Sequence, residues 1–209
     1  MMPPETPGTG ALWPWPSLRW ERDEVLREQV ALLRQNFPMT LAASLATALG
    51  TMWVMDGVAD ARAMAAWLIA HVLVVMGVYL SLRSMDPTTD PARWSAYKLM
   101  VCMAGMGPSW GGLGPGVMHW GNASSVVYAI GIISTVSSGA LGLGAPLYRA
   151  YLVYLSCAIG SVLLAIALAG GPVLWPALFL VLVYFSLTCM QASTADTATR
   201  RSIALKLEN

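Results

Sequence analysis

Leu26, Val30, Leu33 and Phe37 recur at helical spacing, and charges of both signs fill the positions between them. That pattern predicts an amphipathic helix over residues 19–36, lying on the inner leaflet or capping a bundle, with a dimer-forming helix as the other reading. Further along, the polar face disappears. Six apolar runs, at 38–58, 63–82, 94–112, 124–143, 147–168 and 174–192, predict six membrane-spanning helices. The last run holds 19 residues without a formal charge, enough at about 1.5 Å per residue to cross a hydrocarbon core of about 30 Å. Directly after it the sequence turns to STADTATRRSIALKLEN, which carries charges and helix formers and no Gly or Pro. Residues 193–209 therefore read as the start of a helix leaving the membrane. At the other end, residues 1–18 are rich in Pro and Gly and lack a basic segment followed by an apolar one, so they read as a disordered tail and not a signal peptide.

Composition gives the same class. Apolar residues make up 56% and charged residues 11% of the 209, against about 25% charged in a soluble domain. A net charge of +1 offers nucleic acid nothing to bind. The positive charges instead follow topology: of twelve Lys and Arg, only Arg62 falls on one side of the six spans. By the positive-inside rule both termini are cytoplasmic, in a bacterial inner membrane. Trp53, Trp67, Trp120 and Trp175 then mark the outer interface, and Tyr79, Trp94 and Tyr97 the inner one. Asp56, Asp60 and Arg62 read as a solvated turn with a local ion pair. Small residues spaced by four (Ala42, Ala46, Gly50; Ser134, Ser138, Gly142; Cys157, Ser161, Ala165, Ala169) predict close helix packing within the chain.

Candidate chemistry is sparse. Cys102, Cys157 and Cys189 lie in apolar runs without metal-ligand spacing and read as buried thiols. No nucleophile and base pair, carboxylate dyad, phosphate loop or metal cluster is found, so neither catalysis nor a cofactor is expected. His71 falls near the middle of the second span, where an ionisable group is a functional candidate by default. His119, in an outer loop, is a weaker candidate for contact with an external ligand. Residues 105–116, GMGPSWGGLGPG, hold six glycines and two prolines. Regular helix is not expected to persist through them, and a broken span lining a cavity places a ligand pocket around Ser109 and Trp110, with Trp120 as its second wall.

Four segments carry a resemblance: Leu32-Leu33-Arg34-Gln35-Asn36-Phe37-Pro38, Ser109-Trp110-Gly111, Ser138-Gly139-Ala140 with Pro146, and Ser202-Ile203-Ala204-Leu205-Lys206-Leu207-Glu208-Asn209. Together they resemble the six-span N-terminal sensor domain of bacterial hybrid sensor histidine kinases and diguanylate cyclases. The resemblance implies an all-α sensory domain over residues 37–192, in contact with membrane lipids and dimeric. Its sixth span would pass a small-molecule or membrane-derived cue to a cytoplasmic output module, a histidine kinase first and a cyclase as the alternative. Arg200, Arg201, Ile203, Leu205 and Leu207 would lie on the transmitting helix, with Ile203 and Leu207 in a dimer seam. A small transporter or channel using the broken third span is the rival from another class.

Overall fold

The computed structural model describes residues 23–86, 90–113, 123–144, 147–169 and 174–208. The expected tail at 1–18 lies outside them, as do His119 and Trp120. Among the described residues every regular element is helical, in the order α1 (Asp23–Val54), α2 (Ala61–Arg83), α3 (Ala92–Gly111), α4 (Ala123–Gly144), α5 (Tyr148–Ala169) and α6 (Leu174–Glu208).

The first helix corrects one expectation. The amphipathic segment and the first apolar run are not two elements but one 32-residue helix with Pro38 inside it. Proline removes one N–H donor and crowds the carbonyl a turn back. Here Pro38 sits on the exposed side, and the helix continues past it to Val54. One stripe is buried along the whole helix, through Leu26, Val30, Leu33, Phe37, Leu41, Ser44, Ala48 and Thr51. The apolar face of the amphipathic segment is thus spent inside the chain.

Between α1 and α2, Gly57 takes φ 73°, a conformation that favours glycine. Asp60 then caps α2 by accepting from the Ala63 N–H at 2.8 Å. The carboxylate expected in a local ion pair is a helix cap.

The glycine-rich stretch is described as far as Leu113, and residues 114–116 lie outside the described residues. Helix persists from Gly105 through Gly107 and Pro108 to Gly111. Pro108 again faces outward, while Gly107 and Gly111 face α5. A Cβ on Gly107 would stand 2.5 Å from the Tyr154 carbonyl oxygen, and one on Gly111 would stand 2.6 Å from Ser161 Cβ. The bare backbone lets the two helices touch, and that contact offsets the conformational cost of the glycines. This is the most extensive helix pair in the fold.

Two of the three small-residue stripes are used for packing. Cys157 and Ser161 receive Gly107 and Gly111. Ser134 and Ser138 make room for Tyr184 of α6, whose hydroxyl donates to the Ser134 carbonyl at 2.6 Å and lies 2.9 Å from Ser138 Oγ. The third stripe departs from expectation, since Ala42 and Ala46 are exposed and a Cβ on Gly50 would meet nothing within 4 Å. The three thiols are free; Cys102 is buried, and Cys157 and Cys189 are half-buried.

Among the described residues three helices are long and apolar enough to cross a membrane: α1, α2 and the Leu178–Lys206 part of α6. Val127–Leu141 and Tyr148–Leu164 are shorter apolar stretches. Large apolar side chains such as Met39, Trp53, Ile69, Leu73, Trp175, Phe179 and Leu180 point outward at 61% exposure or more. Outward apolar belts around a close-packed interior are features of a membrane protein.

Charge gathers at one end. Asp23 of α1 pairs with Arg93 of α3 at 3.4 Å, Asp90 with Lys98 at 3.2 Å, and Glu28 with Lys206 of α6 at 3.9 Å. Inside this layer Gln29 Nε2 donates to Asp196 Oδ1 at 3.2 Å, and Arg200 Nε donates to Asp196 Oδ2 at 2.7 Å. Gln29 and Asp196 are 2% and 1% exposed, so this pair ties the start of α1 to the second half of α6 in the interior.

Candidate functional site

The two long helices α1 and α2 run side by side, and α3 ends against their middle. His71 projects from the centre of α2 into this junction and is fully buried. Its Nε2 lies 3.1 Å from Ser44 Oγ of α1, and its Nδ1 lies 3.1 Å from Ser109 Oγ of α3. The direction of each bond follows from the donors present. Trp110 Nε1–H donates to Ser44 Oγ at 3.0 Å, and Ser109 Oγ–H donates to the Met106 carbonyl at 2.7 Å. Ser44 therefore gives its proton to Nε2, and Ser109 accepts from Nδ1–H. One neutral tautomer satisfies every bond in a chain from Trp110 through Ser44, His71 and Ser109 to the backbone of Met106.

Two indoles enclose the imidazole. Trp67, one turn before His71 on α2, stacks on it at 5.7 Å with planes 21° apart. Trp110 meets it edge-on at 4.8 Å, and the two indoles are 5.7 Å apart. Trp67 Nε1–H also donates to the Ser109 carbonyl at 2.7 Å. A helix leaves its last carbonyls without intrahelical donors. At the end of α3 the Pro108 carbonyl takes the Gly112 N–H at 2.7 Å, and the Ser109 carbonyl takes the Trp67 indole. Trp67 is thus a side-chain cap for α3.

Of the residues expected to form a pocket, the structure brings His71, Ser109 and Trp110 together. Two members were missed, Ser44 and Trp67. Ser44 carries a signal in its place on the buried stripe between Leu41 and Ala48, and Trp67 in its four-residue spacing from His71. On the outgoing helix the five expected residues do not share one face: Ile203 is 6% exposed and packed within the chain, Arg201 and Leu205 are exposed, and Arg200 binds Asp196. The side chain of Leu207 is outside the described residues.

With every polar atom of the junction partnered, the cluster holds a fixed arrangement of three helices. It offers no nucleophile activated by a base and open to a substrate. Among the described residues no group of His, Cys, Asp or Glu is placed to hold a metal ion. Compared with protein-family models, with curated proteins and with solved structures, the chain matches none.

Proposed function

We propose that the chain is the membrane-embedded sensory input domain of a bacterial signal-transduction protein. It has six spans with both termini cytoplasmic in the inner membrane, and its output module is a histidine kinase. In this reading the His71 junction holds α1, α2 and α3 in one of two packings, and a cue carried by the membrane favours the other. The shift in population reaches the cytoplasm through α6, in a homodimer whose partner contacts involve the exposed face of that helix.

The observation that carries the reading is α6 itself. It is a single 35-residue helix, apolar in its first half and polar in its second, and it is held to α1 by the buried Gln29–Asp196 pair. A continuous rod with one half suited to lipid and the other to water is a means of carrying displacement between them. The ion-paired layer at the same end agrees with the sidedness of the basic residues. The transporter reading relied on a break in the third span, and α3 is helical as far as Gly111.

Two fusions after Asn209 test the proposal. A reporter enzyme active only outside the inner membrane should be silent, and an active one would reject the topology. A fused kinase module should change its autophosphorylation at least several-fold when His71→Ala or Asp196→Ala is introduced; unchanged output from folded variants would reject the role.

A further inference from the structure

Within the ion-paired layer, the first turns of α1 and the start of α3 enclose a cavity of about 190 Å³. Arg27, Glu28 and Ala31 form one wall, and Asp90, Ala92 and Ser95 the other. The volume falls below the range of about 300–1,000 Å³ found for whole small molecules, and suits a single polar group.

The donors that meet here are unengaged. Arg27 makes no ion pair or hydrogen bond among the described residues. Ser95 is 3% exposed, the surface it keeps lines the cavity, and among the described residues its hydroxyl has no hydrogen-bond partner. Buried polar side chains in native proteins are nearly always partnered, so a free hydroxyl at a cavity points to something that enters it. α3 starts at the same place, with Pro91 as a cap that brings no side-chain bond. The Trp94 and Ser95 N–H groups turn back to the Pro91 carbonyl at 2.9 and 3.1 Å, which leaves those of Ala92 and Arg93 without a partner among the described residues. An open helix N-terminus carries partial positive charge and attracts anions.

The carboxylates narrow the choice. Asp90 is held by Lys98 Nζ at 3.2 Å and by the Asp86 N–H at 3.4 Å, whereas Glu28 reaches Lys206 only at 3.9 Å. A bare anion here would lie beside two like charges; a group that brings its own cation finds a partner for each end. Depth is marked by Trp94 and Tyr97 on the first turns of α3, which stack at 5.8 Å and are 50% and 53% exposed. Such rings gather at the headgroup level of a bilayer.

We infer that this cavity binds the phosphoethanolamine headgroup of a membrane phospholipid, with the phosphodiester against Arg27, Ser95 and the α3 N-terminus and the ammonium against Glu28. The bound headgroup clamps α1 to α3 beside the Asp23–Arg93 pair. The inference goes beyond the sensory reading and rests only on the chain being a membrane protein.

The test uses the full chain in detergent, mixed with equal amounts of dioleoyl phosphatidylethanolamine, phosphatidylglycerol and phosphatidylcholine, and counts bound lipid by mass spectrometry of the intact protein. One phosphatidylethanolamine should be retained about three- to ten-fold over either competitor, the worth of one net hydrogen bond. Arg27→Gln and Ser95→Ala should each weaken retention of the ethanolamine and glycerol lipids alike, because both carry the phosphodiester. Glu28→Gln should erase the preference for ethanolamine and leave the glycerol lipid bound. Ala31→Trp, at an exposed lining position, should abolish retention by filling the space. Arg34→Gln, on the same helix outside the cavity, should change nothing. The inference is overturned by equal retention of the three lipids, by retention that survives Arg27→Gln or Ala31→Trp, by a preference that survives Glu28→Gln, or by an equal loss in Arg34→Gln. Displacement of the lipid by inorganic phosphate would also overturn it, as the mark of a site for the free anion.

Discussion

Gly111 of α3 and Ser161 of α5 approach so closely that a methyl group on the glycine would stand 2.6 Å from the serine Cβ and 2.8 Å from its hydroxyl. Gly107, one turn earlier, is blocked by backbone, with the Tyr154 carbonyl oxygen 2.5 Å from the position of its missing Cβ. Gly107→Ala and Gly111→Ala are each expected to destabilise the fold by about 1–3 kcal/mol, the range for overpacking, because each meets α5 backbone that cannot rotate away, the Tyr154 carbonyl at 2.5 Å and the Ala158 carbonyl at 2.8 Å. Gly131→Ala and Gly139→Ala, where a Cβ meets nothing within 4 Å, are expected to be neutral or to gain up to about 1 kcal/mol. Thermal unfolding of the four variants in one detergent checks the order.

At the His71 junction, Ser44→Ala removes the acceptor of the Trp110 indole and the donor to Nε2 together. The expected cost is about 1–3 kcal/mol for each buried group left without a partner. Because His71 and Ser44 share one chain, Ser44→Ala in a His71→Ala background is expected to cost less than it does alone. A double-mutant cycle should yield a coupling of about 0.5–3 kcal/mol, and strict additivity would count against the network.

Asp196 is 1% exposed and receives both Gln29 and Arg200. Asp196→Ala is expected to release the second half of α6 from α1. Hydrogen exchange over residues 193–206 should accelerate at least about ten-fold, which corresponds to about 1.4 kcal/mol of lost local protection. Exchange over Leu99–Cys102, in the packed interior of α3, should stay unchanged.

Ile203 is 6% exposed and Leu205 is 54% exposed on the same helix. In a background without Cys102, Cys157 and Cys189, a thiol reagent should react with Leu205→Cys at least several-fold faster than with Ile203→Cys. Equal rates would mean that the end of α6 is not packed within the chain. Disulfide crosslinking between two copies through Ile203→Cys is expected to be inefficient for the same reason.

The helices were legible because an apolar run has one economical solution in hydrocarbon, and the six runs all fall on helices. Prolines and glycines misled because their meaning depends on what lies opposite. Pro38 and Pro108 interrupt nothing, since both lie on exposed faces, and Gly107 reads as a breaker until α5 is seen against it. His71 stood out by its depth alone. Its partners did not, because serine and tryptophan are ordinary in apolar helices: Trp67 is one turn away on α2, but only the packing of α1 and α3 against α2 brings Ser44 and Ser109 to the same ring. The polar faces of the ends were easier to place than to pair: nothing in the spacing of Gln29 pointed to Asp196.

That clasp also fixes a mechanical ratio. A pivot at Asp196 divides α6 into an arm of about 33 Å back to Leu174 and an arm of about 18 Å forward to Glu208, at about 1.5 Å per residue. In the proposed signalling role, a tilt about that clasp would reach the near tip reversed in sense, roughly halved in amplitude and correspondingly increased in force, as in a pair of pliers.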